Sequence, residues 1–269
     1  MARETSGKAI SAIYRVVDEI FERRSDGSQR IEFTRQDIED TAKMLGVKLA
    51  RNVPDLPYNF NFRRSSRSSA MLNTESKQKR WYIVPVPGGY AFELDRLPFI
   101  PDPKLPVTEV PNATPDFIGA YSLTDEQAVL ATVRYNRLID AFIGVTAYPL
   151  QSHIRTKVDK VQIEVDEVYL GVSGKGERFA IGVEAKVEDS LVPYQIRNCY
   201  ALLRKEFQDL TPIVVGIKWN GNNSSIAMMR MVESGKGGRT IRVADETHYG
   251  IVQLPRKVGP KPRPRPTSE

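Results

Sequence analysis

The chain has 269 residues, 41% of them apolar, with 39 Lys and Arg against 33 Asp and Glu and a formal net charge of +6. One cysteine, Cys199, and two histidines, His153 and His248, exclude an internal disulfide framework and a Cys/His zinc finger, whose site takes four such ligands. No apolar run approaches the roughly 20 residues of a membrane span, and the opening MARETSGKAI lacks the apolar stretch of a secretory signal, so a cytoplasmic protein without membrane contact is expected.

Residues 8–24 carry Ile10, Ile13, Tyr14, Val17, Ile20 and Phe21 at helical spacing and read as an amphipathic helix, broken by Ser25-Asp26-Gly27-Ser28. Ile31-Glu32-Phe33 reads as a short strand. Thr34 is placed to cap a helix over Arg35–Leu45, closed by Gly46. A third short helix is expected from Asn52 to Phe60–Phe62, bent by Pro54 and Pro57. Trp81–Leu94, WYIVPVPGGYAFEL, reads as a hairpin turning at Gly88-Gly89. Three helices followed by a hairpin is the element order of a winged helix, so residues 1–96 are read as a small winged-helix-like α+β domain. Between its third helix and its hairpin stand Arg63, Arg64, Arg67, Lys77, Lys79 and Arg80, opposed only by Glu75. Such a strip suits phosphate contacts, because Lys and Arg replace the counterions condensed on DNA.

Residues 96–116 hold six prolines and read as a stiff linker, with the domain boundary at 97–116. Thr124 and Gln127 form a capping box for a long helix to Ile143, which Gly144 ends. Glu126 in its first turn is either an acid complementing the helix dipole or an extra metal-site carboxylate. Tyr148–Lys160 reads as a connecting loop carrying His153, Arg155 and Lys157; His153 there reads as a surface contact rather than a catalytic base.

Val161–Lys186, VQIEVDEVYLGVSGKGERFAIGVEAK, reads as two strands around a turn-rich spacer at Gly171–Glu177. In the second, Ile181, Val183 and Ala185 share one face, and Gly182, Glu184 and Lys186 the other. In the first, Ile163 and Val165 precede Asp166-Glu167 and Val168 and Leu170 follow, so the apolar phase shifts at the acids; a bulge or bend there would account for it. Charges set beside an apolar sheet are costly unless paired or bound to metal, which makes Asp166, Glu184 and Lys186 a candidate metal site for phosphodiester hydrolysis. The alternative is a plain Glu184–Lys186 pair on an edge strand, worth about 0.2–1 kcal/mol. Pro193 opens a helix to about Phe207, with Gln195 in its first turn. Pro212–Trp219, Ser225–Val232, Thr240–Val243 and Gly250–Leu254 read as strands, and Ser234–Arg239 as a turn. The tail from 255 to 269 carries five cations against Glu269, and so +4 of the net +6. It is expected to be disordered, and the overall basicity is therefore poor evidence for a nucleic-acid partner.

The order helix, acid-bearing strand pair, helix, apolar strand resembles the core of the PD-(D/E)XK nuclease superfamily over residues 117–219, with a nuclease domain over 117–254. Asp166 matches the motif's first acid and Glu184-Ala185-Lys186 its E-x-K element; Val165 stands where the nominal proline would be. The resemblance implies an α/β fold with a mixed sheet flanked by helices. It implies a bacterial Mg²⁺-dependent endonuclease (Mn²⁺ a substitute) cutting double-stranded DNA, of the type II restriction class. It further implies a homodimer and a cognate DNA methyltransferase as functional partner. Asp166 and Glu184 would bind the metal, with Glu126 and Glu167 as further candidates, Lys186 would complete the catalytic set, and Gln195 would assist. Arg155 and Lys157 would join the N-terminal strip in binding DNA. Two alternatives are a structure-specific or repair nuclease and a non-catalytic DNA-binding regulator.

Overall fold

The computed structural model describes residues 2–49, 56–64, 67–119, 125–221, 224–235 and 240–253, and of residues 2–11 only the helical backbone. The first part of the chain runs α1 (Ala2–Arg24), β1 (Arg30–Thr34), α2 (Arg35–Met44), α3 (Leu56–Tyr58) continuing as a π-helical turn (Asn59–Arg63), α4 (Ser69–Thr74), β2 (Lys79–Val86) and β3 (Gly89–Arg96). The second runs β4 (Val107–Pro111), α5 (Asp116–Gly119), α6 (Glu126–Tyr135), α7 (Leu138–Ile143), β5 (Thr146–Val158), β6 (Val161–Val172), β7 (Arg178–Lys186), α8 (Pro193–Glu206), β8 (Thr211–Asn220), β9 (Ser225–Ser234) and β10 (Thr240–Val252). No described helix is long and apolar enough to cross a membrane.

In the N-terminal module, β1, β3 and β2 form an antiparallel sheet in that order. The apolar stripe of α1 (Val16, Val17, Ile20, Phe21) packs on it together with Ile38, Phe60, Trp81 and Phe92. The Phe21 ring meets Trp81 and Phe92 edge-on, at 5.0 and 5.2 Å between centroids. Thr34 caps α2 as expected: its hydroxyl accepts from Asp37 N and the Asp37 carboxylate accepts from Thr34 N at 2.7 Å. The hairpin turns at Pro87-Gly88, one residue before the expected Gly88-Gly89, and Gly89 opens β3 opposite Val86. Gly88 has φ +82, and a Cβ on Gly89 would lie 2.4 Å from Phe33 O, so the close approach of β1 requires glycine there. The expected helix start at Asn52 lies outside the described residues, and the part of that helix within them is one short α turn and a π turn. The basic strip holds a helix not foreseen, α4, capped by the Ser68 hydroxyl and pinned by buried Met71.

The C-terminal module is a seven-stranded mixed sheet in the order β4-β10-β9-β8-β7-β6-β5, in which β4/β10 and β7/β8 are parallel and the other pairs antiparallel. Helices cover both faces, as an α/β protein requires. α6 and α7 lie with Ile181, Val183, Ala185, Val215 and Ile217, while the stripe of α8 (Ile196, Cys199, Leu202, Leu203) lies with Ala180, Val214, Met229 and Met231. Period-2 alternation along β7 therefore sends Glu184 to the α8 face and Ala185 to the other.

Four expectations are corrected. The segment read as a loop, Tyr148–Lys160, is most of edge strand β5: its inner positions Ile154 and Val158 pack on the core, while His153, Arg155 and Lys157 alternate with them and are exposed. The Pro-rich stretch is not only a linker, since its residues 107–111 pair with β10 and Phe99 bridges to Leu191. The long helix is two: α6 stops at Asn136, whose side chain bonds Ala113 N, Thr114 Oγ1 and Thr132 O, and Arg137 turns the chain at φ 50. Its cap is Asp125, whose carboxylate accepts from Ala128 N at 3.0 Å; Thr124 lies outside the described residues. Thr240–Val243 and Gly250–Leu254 are two ends of one strand, kept continuous past Ala244 by a bulge; Leu254 and the tail lie outside the described residues.

The two modules meet on the first turn of α8. Arg197 is ion-paired with Glu93 and Asp95 of β3, the Asn61 amide donates to Tyr194 Oη at 3.3 Å, and Tyr82, Val84, Ala91 and Val192 form a shared apolar patch.

Candidate functional site

Asp166 and Glu184 come together because β6 and β7 part there. The ladder between them runs from Val172↔Arg178 to Glu167↔Val183 and stops. The next register position would pair Asp166 with Glu184. Instead the Asp166 carboxylate accepts a hydrogen bond from Ala185 N at 2.9 Å, replacing the lost rung with a side chain. Lys186 Nζ lies 2.8 Å from Glu184 Oε1 and 3.6 Å from Asp166 Oδ2, and donates to Ala185 O at 2.9 Å. From the first turn of α8, Gln195 Nε2 donates to the same Glu184 oxygen at 2.6 Å.

The electrostatics follow from burial. Glu184 is 4% exposed. Loss of solvation pushes its carboxyl up to about 7, against the pull of Lys186 and with a push from Asp166. Burial works against the Lys186 ammonium, but Glu184 and Asp166 outweigh it and hold its pKa above the usual lysine value. The cluster thus couples an ammonium that stays charged to a carboxylate poised near neutrality.

Glu167 is placed elsewhere. It is 1% exposed, accepts from Arg134 Nε at 2.9 Å and from Tyr169 Oη at 2.8 Å, and lies on the α6 face of the sheet. The phase shift in β6 is present: Ile163, Val165 and Val168 share the α8 face, whereas Tyr169 lies on the other. Its counterpart in β5 is His153, at φ 51 between the pairs Ser152↔Glu167 and Ile154↔Val165; a separate extra residue, Leu150, falls further along, between Pro149↔Tyr169 and Gln151↔Val168. Between the two acids, Asp166 faces Lys186 and Glu167 is committed to Arg134.

A cleft of about 370 Å³ opens over Asp166, Lys186 and Gln195. Glu126 and Asp125 line it from the start of α6, His153 from β5, Asp189 from the loop after β7, and Tyr58 and Phe62 from the N-terminal module. The cleft residues the sequence left unmarked are Tyr58, Phe62, Asp125 and Asp189. No local signal marks the first two, which belong to the other module. Lys218 was also passed over. It stands beside Lys186 in the parallel β7–β8 register and donates to the carbonyls of Val187, Glu188 and Asp189 at 2.5, 3.2 and 2.9 Å.

The basic strip does not form one free surface. The Arg64 side chain is 5% exposed and donates to both Asp18 oxygens, at 2.9 and 2.7 Å; Arg67 is 9% exposed and paired with Glu75; Arg80 donates to Asn61 O at 3.0 Å. These three hold α4 and the π turn to the module. Arg63 bonds Tyr58 Oη, and Lys79 reaches Gln29 Oε1 at 3.2 Å, while Lys77 is exposed. Arg155 and Lys157 lie on the exposed side of β5, Arg155 bonded to Glu164 at 2.9 Å.

Among the described residues, no three His, Cys, Asp or Glu side chains are grouped to hold a metal ion. A three-carboxylate cage is therefore not the design here. A hard cation such as Mg²⁺ keeps several waters and takes only one or two carboxylates together with substrate oxygens. Asp166 and Glu184 supply that pair. Gln195 Oε1 adds a buried amide oxygen with no hydrogen-bond partner, an orphaned acceptor beside Glu184. The donor set, all oxygen, fits a hard divalent cation. Comparison with protein-family models, with curated proteins and with solved structures gives no match to this chain.

Proposed function

We propose that the chain is a metal-dependent endodeoxyribonuclease with a PD-(D/E)XK core and a winged-helix-like N-terminal module, acting on double-stranded DNA in the manner of a type II restriction enzyme. The observation that carries this reading is the meeting of Asp166, Glu184 and Lys186 at the parted ends of β6 and β7, where Asp166 and Lys186 line a cleft with Glu184 buried behind them. A surface ion pair needs no such arrangement, and the burial of three charges in one cluster is a standing cost to the fold.

Asp166 and Glu184 would hold Mg²⁺ or Mn²⁺, which when bound neutralises the phosphodiester and lowers the pKa of a coordinated water. Lys186 directs its ammonium to the place where charge develops on the phosphate and orients the attacking water. Gln195 fixes the Glu184 carboxylate by its 2.6 Å bond. Lys218 ties down the loop that carries Asp189 to the rim. Cutting both strands takes two such sites, so a homodimer belongs to the reading, as does a companion methyltransferase protecting the host's own sequence.

Plasmid digestion with sequencing of the cut ends tests it. The wild type is expected to linearise or fragment DNA with Mg²⁺ or Mn²⁺ and not in EDTA, and Lys186→Ala to be slower by about 100-fold or more. DNA left intact by the wild type, or cut as fast by Lys186→Ala, overturns it.

A further inference from the structure

Five described non-glycine residues have positive φ. Arg137, Asp159, Lys160 and Ser224 lie in turns; His153, at φ 51, lies within a strand. A left-handed residue inside a strand is strained and persists only where its surroundings impose it, and such residues gather at functional sites. Here the consequence is visible in the ladder. Ser152 pairs with Glu167 and Ile154 with Val165, but His153 and Asp166, which face each other between them, form no rung. The strain falls on the β5 residue opposite the first candidate metal acid, and that residue lines the cleft.

The imidazole is also oriented. Its Nδ1 lies 2.9 Å from Glu164 Oε1, and a carboxylate only accepts, so Nδ1 carries the proton. Glu164 is itself held by Arg155 through bonds of 2.9 and 3.2 Å. The Nε2 side takes no part in this arrangement, and the side chain is 50% exposed. Along the same exposed side of β5 stand Arg155 and Lys157, two and four residues on.

We propose that His153 forms a phosphate subsite: Nε2–H donates to the phosphodiester next to the one positioned over Asp166 and Lys186, the cleaved strand running from the cleft onto β5. The phosphate is met by the imidazolium, which takes up a second proton from solvent at Nε2 and then donates through both nitrogens, to Glu164 behind it and to the phosphate in front. This assignment rests on the nuclease reading and adds to it a specific contact with the substrate strand.

The experiment is binding of fluorescent oligodeoxynucleotides to the full chain in EDTA, where nothing is cut, with a neutral methylphosphonate placed at each linkage in turn. For the wild type, one linkage beside the cut site is expected to lose about tenfold in affinity on neutralisation, the scale of a hydrogen bond to a charged group. His153→Ala is expected to bind the unmodified strand about tenfold more weakly and to show no further loss at that linkage. His153→Gly relieves the positive φ and is expected to melt at or above the wild-type temperature while binding as weakly as His153→Ala, which separates contact from folding. The chain has two histidines, so the imidazole C2–H resonances are two. The one removed by His153→Gln is expected to shift on adding the oligonucleotide, while that of His248, 1% exposed and bonded to Glu246, stays. Equal affinity of wild type and His153→Ala, or a methylphosphonate penalty that survives in His153→Ala, overturns the subsite. If the plasmid digest succeeds while this coupling is absent, the subsite alone fails. If the coupling is found but nothing is cut with Mg²⁺, hydrolysis fails and the phosphate contact stands.

Discussion

At the scale of single residues, the site is organised by how charge is buried. Glu184 has a folded-state pKa of about 7, against an ordinary carboxyl value near 4.5, because burial disfavours its charged form. Between those values the folded protein holds a proton that the unfolded chain releases, so stability falls as pH rises through this window and is level above it. Metal-free wild type is accordingly expected to lose stability relative to Glu184→Gln from pH 4.5 to 7, by up to about 3 kcal/mol at 1.36 kcal/mol per pKa unit. Parallel denaturant titrations measure this, and a constant difference across the window would contradict it. Glu167 is buried on the other face of the sheet and is held there by a counter-charge. Arg134→Ala leaves a carboxylate that is 1% exposed without its guanidinium. It is expected to destabilise the fold by roughly 3 kcal/mol, read as a lower denaturation midpoint, whereas Arg134→Lys should recover part of the loss. The sequence favoured Asp166 but left Glu167 open, because adjacent acids differ only in the face they take. What separates them is the local phase of β6, which shifts where the ladder with β5 skips the position between Ile154↔Val165 and Ser152↔Glu167, opposite His153.

At the scale of elements, strands with one apolar face were readable and strands without one were not. In β7 the alternation of Ile181, Val183 and Ala185 with Gly182, Glu184 and Lys186 set both the strand and the site. In β5 the inner positions include Ser152 and Thr156, too polar to mark a strand, although Ile154 and Val158 pack on the core. The break in the long helix was hidden for another reason: Asn136 stops α6 by bonding residues 113 and 114, contacts more than 20 positions away. The same holds for the basic strip, whose Arg64 is spent on Asp18, 46 residues earlier. The loop after β7 carries a prediction of its own. Lys218 donates to three successive carbonyls there, a load that no neutral side chain of similar length can replace. Lys218→Met is expected to slow DNA cleavage by about tenfold, on the scale of lost positioning, and to speed amide exchange around residues 187–190 with little change in melting temperature. Unchanged exchange would show that the loop holds itself.

At the scale of the whole molecule, α8 joins the two modules to the site. Its first turn places Tyr194 against Asn61, Gln195 on Glu184 and Arg197 on Glu93 and Asp95. Within one turn, the N-terminal module and the buried Glu184 carboxylate are held by the same backbone. The wild type is therefore expected to unfold in a single calorimetric transition. Arg197→Ala leaves two acids of β3 facing each other at a partly buried interface and should separate the melting of the N-terminal module, to lower temperature by a few degrees for each kcal/mol lost; one unchanged endotherm would argue against the coupling. The contact between the two sheets' modules was not legible in the sequence. The prolines mark a boundary, yet the stretch after them returns as β4 to close the far side of the sheet.

The irregularities of β5 have a consequence for assembly. This strand is one free edge of the seven-stranded sheet, 13 residues long, and a regular edge of that length would template the addition of a foreign strand. Pro149 removes one donor, Leu150 shifts the repeat by a residue, and His153 turns another peptide out of line. The row of alternating N–H and C=O groups that β-augmentation requires is broken beside the cleft. Copies of the chain are thus discouraged from polymerising edge to edge there, and the edge beside the cleft stays unpaired by a neighbouring strand.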